Sequence, residues 1–107
     1  DVIVTADGRQ IGRMDPVFKG IEGVAESQII QARLDCLRVL IVLDAQSQLG
    51  FDESLLIENI KLRTSLDMDV LIEYVGSIPR GRNGKFKSVI SLLNSDDKSL
   101  GGNNPGC

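Results

Sequence analysis

The apolar positions of this chain fall into short clusters, and their spacing predicts a series of strands interrupted by one helix. Val2-Ile3-Val4-Thr5 has the β-branched content of a strand, and Ala6-Asp7-Gly8-Arg9 reads as a turn built on Asp-Gly. Gln10-Ile11-Gly12-Arg13 can return as the partner strand. Pro16 pushes the residue before it toward extended conformations, so Asp15 is expected at a bend, outside any helix. From Val24 to Arg33 two readings stay open: Glu26 to Gln31 could start a helix, and Gln28 to Arg33 is also tolerable as a strand. A strand from about Ser27 to Arg33 is favoured. Leu37 to Leu43 is nearly all apolar apart from Arg38, the pattern of a central strand covered on both faces.

Asp52 can cap a helix running to about Leu66. On a helical wheel Leu55, Leu62 and Leu66 fall within about 40° of each other, and Leu56 and Ile60 widen that stripe. Glu58 and Lys61 lie one turn apart on the outer side. Asp69 to Val75 reads as a strand with Val70, Ile72 and Tyr74 on one face. Gly76 to Gly84 is loop, and Phe86 to Leu93 is apolar but of open type. Beyond it, residues 94–107 are dominated by Ser, Asp, Gly and Asn and are expected to form a disordered tail. Together these elements predict an α+β fold: a small, mostly antiparallel sheet with a helix packed on one face, preceded by a β-hairpin.

Composition narrows the chemistry. A chain of 107 residues supports one domain, and 42% hydrophobic content with only 4% aromatic and no Trp requires an aliphatic core. The net charge of -3 argues against nonspecific binding to nucleic acid or an anionic membrane. No apolar run approaches the roughly 18 residues of a membrane span, and no signal peptide opens the chain. Cys36 and Cys107 form neither a metal spacing nor a disulfide framework, so a reduced, cytoplasmic protein is the expectation. Histidine is absent. That excludes Ser/His/Asp and Cys/His triads and histidine metal sites, and leaves lysine, arginine or carboxylate to carry any chemistry.

Two glycine-rich basic segments stand out on this acidic chain: Gly12 to Gly20, and Ile78 to Lys87. With Arg9 they hold 7 of the 12 basic residues. Each can be a solvated surface turn. Each can equally address a small anion, because Gly84 lets backbone approach a ligand, Lys85 supplies a mobile point charge and Arg13 a rigid fork of donors. Neither is a Walker loop, which needs Gly-x-x-x-x-Gly-Lys-Ser/Thr between strand and helix.

Gly12-Arg13-x-Asp15 followed by Lys19-Gly20 resembles the hinge motif that opens the C-terminal domain of adenylate-forming enzymes. Pro79-Arg80-x-x-x-Gly84-Lys85-x-Lys87 is similar to that family's last motif. The order of the two motifs and the residues between them, Gln28 to Gln31 included, most resemble the phenylacetate–coenzyme A ligase branch and its relatives in capsular polysaccharide biosynthesis. The resemblance covers about residues 1 to 93. It implies residues 1–14 as hairpin and hinge approach, 15–93 as a C-terminal lid domain, and 94–107 as the tail. It also implies a role for each matched residue. Arg13 would contact the ribose hydroxyls of ATP, and Asp15 would be the hinge between two half-reactions. Lys19 would face the active site after rotation, Gly20 would lie beside the path of the acceptor thiol, and Lys85 would act in adenylate formation.

ATP, with its Mg2+ held by a preceding adenylation domain, a small carboxylic acid and coenzyme A are the implied cofactors and partners. The chain alone is expected to be catalytically inactive. It departs from the family's pattern in three places: Gly81 stands where Thr is usual, Lys87 where Arg is usual, and Ile21 to Glu26 lacks the usual paired Glu. The competing reading is a stand-alone α+β regulatory or protein-interaction module without catalysis.

Overall fold

In the computed structural model, residues 1–93 are described; the expected tail, 94–107, lies outside them. Two short strands, β1 (Ile3–Val4) and β2 (Gln10–Ile11), form the antiparallel hairpin that the Asp-Gly turn predicts. A 3₁₀ turn, Asp15–Phe18, follows. Asp15 is therefore the first residue of a helical turn, where an extended bend was expected. Pro16 is tolerated there because an N–H at the start of a helix has no internal acceptor to lose.

The main sheet has four strands in the order β5-β4-β3-β6, made by β3 (Val24–Arg33), β4 (Cys36–Leu43), β5 (Asp69–Tyr74) and β6 (Val89–Ser91). The stretch from Val24 is thus strand throughout, and the apolar run after Phe86 contributes a strand as well. β3 and β4 pair antiparallel, whereas β4–β5 and β3–β6 pair parallel. The class is α+β as expected, but the sheet is mixed. The reason lies in the connections: β4 and β5 are joined through the single helix α1 (Glu53–Arg63), and a crossover of that length returns the chain in the same direction.

Asp52 caps α1, its carboxylate accepting from the Leu55 N–H at 3.0 Å. The helix ends at Arg63, three residues before Leu66. Its buried face is Leu56 and Ile60, continued by Thr64 and, beyond the helix, Met68. Leu62 and Leu66, expected on the inner stripe from their wheel positions beside Leu55, are 69% and 73% exposed. Thr64 takes the inner position because its hydroxyl donates to the Ile60 carbonyl at 2.7 Å, which removes the cost of burying it.

The core fills the space between α1 and one face of the sheet, with Ile29, Leu37, Val39 and Ile41 below and Leu56 and Ile60 above. β4 alternates: Leu37, Val39 and Ile41 are buried, while Arg38, Leu40 and Val42 are only half-buried. It is central, but its outer face is partly open where covering on both faces was expected. On that face Arg38 donates two hydrogen bonds to Glu73 of β5, at 2.6 and 3.0 Å, and the Glu73 carboxyl is held below its ordinary range by them. Cys36 is fully buried at the start of β4. Among the described residues no helix is long and apolar enough to cross a membrane.

The hairpin docks on this body through Ile3, which joins the core cluster, and through Gln31 of β3. Gln31 is completely buried on the core face. Its Oε1 accepts from the Val4 N–H at 2.9 Å, and its Nε2 donates to the Val4 carbonyl at 2.8 Å and the Leu34 carbonyl at 3.3 Å. One side-chain amide thus serves β1 as a neighbouring strand would. Gln31→Leu keeps the volume but strands both Val4 backbone groups in the interior. It is expected to lower unfolding free energy by about 2–4 kcal/mol, checked by urea denaturation; a loss near zero would contradict this account.

The only tyrosine of the chain, Tyr74, reports the far edge of the sheet. Its hydroxyl donates to Glu53 at 2.7 Å, and its ring meets Phe51 edge-on with centroids 6.0 Å apart. The hydrogen bond to Glu53, then burial, push the phenol up to about 12 from an ordinary 10.0. The folded pKa is raised, so this tie contributes stability below pH 10.0 and loses it as pH rises through about 12. Ultraviolet titration is expected to show a single late phenolate transition, which Glu53→Gln moves back toward 10.0.

Candidate functional site

The two basic segments meet across one open cleft of about 510 Å³. Gly12, Arg13, Met14 and Asp15 form one wall, Phe86, Lys87 and Ser88 the opposite one, and Ser27 and Ile29 of β3 the floor. The fold makes this meeting necessary. β6 lies beside β3, the Ile29 N–H donating to the Ser88 carbonyl at 2.9 Å, and the Gln31 clamp lays the hairpin over the same strand. Gln28, on the other side of β3, donates to the Lys87 carbonyl at 2.9 Å.

Arg13, 76% exposed, is paired with Asp15 at the cleft. Its Nε and Nη2 both donate to Asp15, at 3.2 and 2.9 Å, so the guanidinium plane is fixed by a fork. The Arg13 hydrogen bonds hold the Asp15 carboxyl below its ordinary 3.8, with Arg63 adding a smaller contribution. Arg63 also donates to the Arg13 carbonyl at 2.7 Å, tying this wall to the end of α1. Lys87 Nζ lies 3.2 Å from Asp1.

The second segment ends in a tight turn. The Gly81 N–H donates to the Lys85 carbonyl at 2.7 Å, the Gly84 N–H to the Gly81 carbonyl at 3.0 Å, and the Lys85 N–H to Asn83 Oδ1 at 3.1 Å. Gly84 has φ +75, the left-handed conformation that a side chain disfavours, which is why glycine stands there. Arg80 is held twice, by an ion pair with Glu26 and by its position 4.9 Å over the Phe86 ring. Lys85 stands differently. It is exposed, and among the described residues it forms no ion pair.

The structure therefore brings Arg13, Asp15 and Lys87 to one cleft, with Lys85 two residues from Lys87 on the projecting turn. Lys19 is elsewhere, in a shallower hollow with Pro16, Val17 and Asn59 against α1. Gly20 has φ +80 and open space where a Cβ would stand. Phe86, Ser27 and Ser88 belong to the cleft but carried no signal in the sequence. Only their pairing across β3 and β6 brings them in, and that pairing spans about 60 residues of chain. Among the described residues no group of His, Cys, Asp or Glu could hold a metal ion.

Because Asp15 is fully exposed, its shift is read as a probe of the fork, not of stability. By carbon-detected NMR its carboxyl is expected to titrate below 3.8, and Arg13→Ala to return it toward that value. The fork is intact above that range and opens as pH falls through the lowered value. An unchanged titration in the variant would show that Arg13 is not held.

The family model described as CapK C-terminal domain matches residues 3–92. No curated protein and no solved structure matches the chain.

Proposed function

The chain belongs to the CapK C-terminal domain family, a family related to capsule biosynthesis, and from that membership we propose that it is the mobile C-terminal lid of an ATP-dependent, AMP-forming ligase. The parent enzyme activates a small carboxylic acid as its acyl-adenylate and then passes the acyl group to an acceptor, coenzyme A. In the first step a carboxylate oxygen bonds to the α-phosphorus of ATP as the bond to pyrophosphate breaks.

One observation carries this reading: two basic segments some 65 residues apart converge on a single open cleft, and the exposed Lys85, which forms no ion pair among the described residues, stands directly before the cleft residue Phe86. Attack of a carboxylate on phosphorus gathers negative charge between two anions. A compact ammonium on a flexible stem can offset it, and Lys85 presents one from a backbone turn that hydrogen bonds hold fixed. The turn supplies position, and the four-carbon stem supplies reach. The Arg13 fork, already oriented by Asp15, suits recognition of paired ribose hydroxyls. Lys19 and Gly20 serve the second step in this reading. Their separation from the cleft matches a lid that presents different residues as it turns between half-reactions. Mg2+ accompanies ATP on the preceding domain, which supplies its ligands.

Lys85→Ala in the full-length parent is expected to lower ATP–pyrophosphate exchange about 10²–10³-fold without changing circular dichroism. Exchange at the normal rate would remove Lys85 from the chemistry and favour a non-catalytic interaction module.

A further inference from the structure

We propose that Glu26 of β3 is a positioning residue for Lys85, acting through Arg80. Resting on the lid reading above, this names the part of the fold that aims the lysine. The segment that carries Lys85 is anchored at both ends: Ile78 is 1% exposed, and the Lys87 carbonyl accepts from Gln28 at 2.9 Å. Between those anchors the backbone closes on itself. The Gly81 N–H donates to the Lys85 carbonyl, the Gly84 N–H to the Gly81 carbonyl and the Lys85 N–H to Asn83. These bonds stiffen the turn, but they do not set where it points.

Arg80 supplies the direction. Its guanidinium touches the residues on either side of Lys85. Nη1 reaches the Gly84 carbonyl at 3.5 Å, and the guanidinium carbon lies 4.9 Å from the centre of the Phe86 ring. Nη2 donates to the Glu26 carboxylate. One side chain therefore spans from the sheet to both neighbours of the lysine. Glu26 and Ser27 are consecutive on β3, and Ser27 lines the floor of the cleft. The turn is thus tied to the strand on which the cleft is built, one residue away from its floor.

β3 is irregular at this point. Val24 pairs with Leu43 and Glu26 with Val42, so Ala25 is an extra residue, a β-bulge. In a regular strand residues 24 and 26 share a face. Here Val24 packs against the core, whereas Glu26 pairs with Val42, on the half-buried face of β4 that also carries Arg38 and Leu40. The bulge turns this carboxylate toward the basic turn while Ser27 and Ile29 keep to the cleft side. A partly exposed ion pair contributes little to stability. What this one does is fix the two residues that flank Lys85.

The test is a double-mutant cycle in the full-length parent, with Glu26→Ala, Lys85→Ala and the two combined. Adenylate formation is read as ATP–pyrophosphate exchange, using whichever of a panel of small carboxylic acids, phenylacetate included, the unsubstituted enzyme exchanges fastest. The second step is read separately, as thioester formation from the matching synthetic acyl-adenylate and coenzyme A. Glu26→Ala is expected to slow exchange about tenfold through kcat, as a small misplacement of a reacting group does, with thioester formation and the urea midpoint unchanged. Glu26→Gln, which keeps an acceptor for Arg80, is expected to lose less. Placed on Lys85→Ala, Glu26→Ala is expected to cost nothing more, because the group it positions is already gone. Suppose instead that Lys85→Ala slows exchange, but Glu26→Ala has no effect, slows both steps alike, or multiplies the loss in the combined variant. Glu26 then does not act through the lysine, and the lid reading stands without it. If Lys85→Ala leaves exchange at the normal rate, the reading falls and the proposal falls with it.

Discussion

A single buried amide holds the N-terminal hairpin to the rest of this structure. Gln31 sits on the core face of a strand among Ile29, Leu37 and Val39, where a polar side chain survives only if every donor and acceptor is used. It is satisfied by the backbone of Val4 and by Leu34. That requirement makes the hairpin obligatory: without β1, β3 would bury an unpaired amide, and without Gln31, β1 would have β2 as its only strand partner. The cleft wall from Gly12 to Asp15 follows from this exchange together with the burial of Ile3 and Met14 and the bond from Arg63 to the Arg13 carbonyl.

The other wall depends on sheet order. Because β6 adds to β3 in parallel, Phe86 and Lys87 arrive beside Ser27 and Ile29, and the Arg80 side chain reaches Glu26. Arg80 is thereby consumed in structure, stacked on Phe86 and paired with a carboxylate. Lys85 has neither kind of tie among the described residues. Among the described residues, the two neighbouring cations therefore differ: Arg80 is tied into the turn, and Lys85 is exposed.

Much of this was legible in the residues. The Asp-Gly turn, the Asp52 cap and the apolar run of β4 each declare themselves locally, because turn, cap and strand chemistry act within a few positions. What failed was whatever depends on a distant partner. Leu62 and Leu66 fall on the wheel stripe of Leu55, but the row that faces the sheet runs through Leu56, Ile60 and Thr64, and only the packing of α1 against strands far along the chain decides which row that is. The direction of β6 is set by a strand about 60 residues earlier and leaves no periodicity to read. The two basic segments were visible as motifs. Their meeting, and the exclusion of Lys19 from it, were not.

Tyr74 marks one junction of the fold. With no tryptophan and one tyrosine beside three phenylalanines, this chain carries a single phenol, at the end of β5. β5 and β6 are opposite edges of the sheet, so that ring stands two strands away from the cleft floor. Its hydroxyl is bonded to Glu53 at the start of α1, so the one phenol stands at the junction of helix and sheet. The phenol's surroundings therefore depend on whether α1 stays on β5, and the cleft lies on the other side of the sheet's centre.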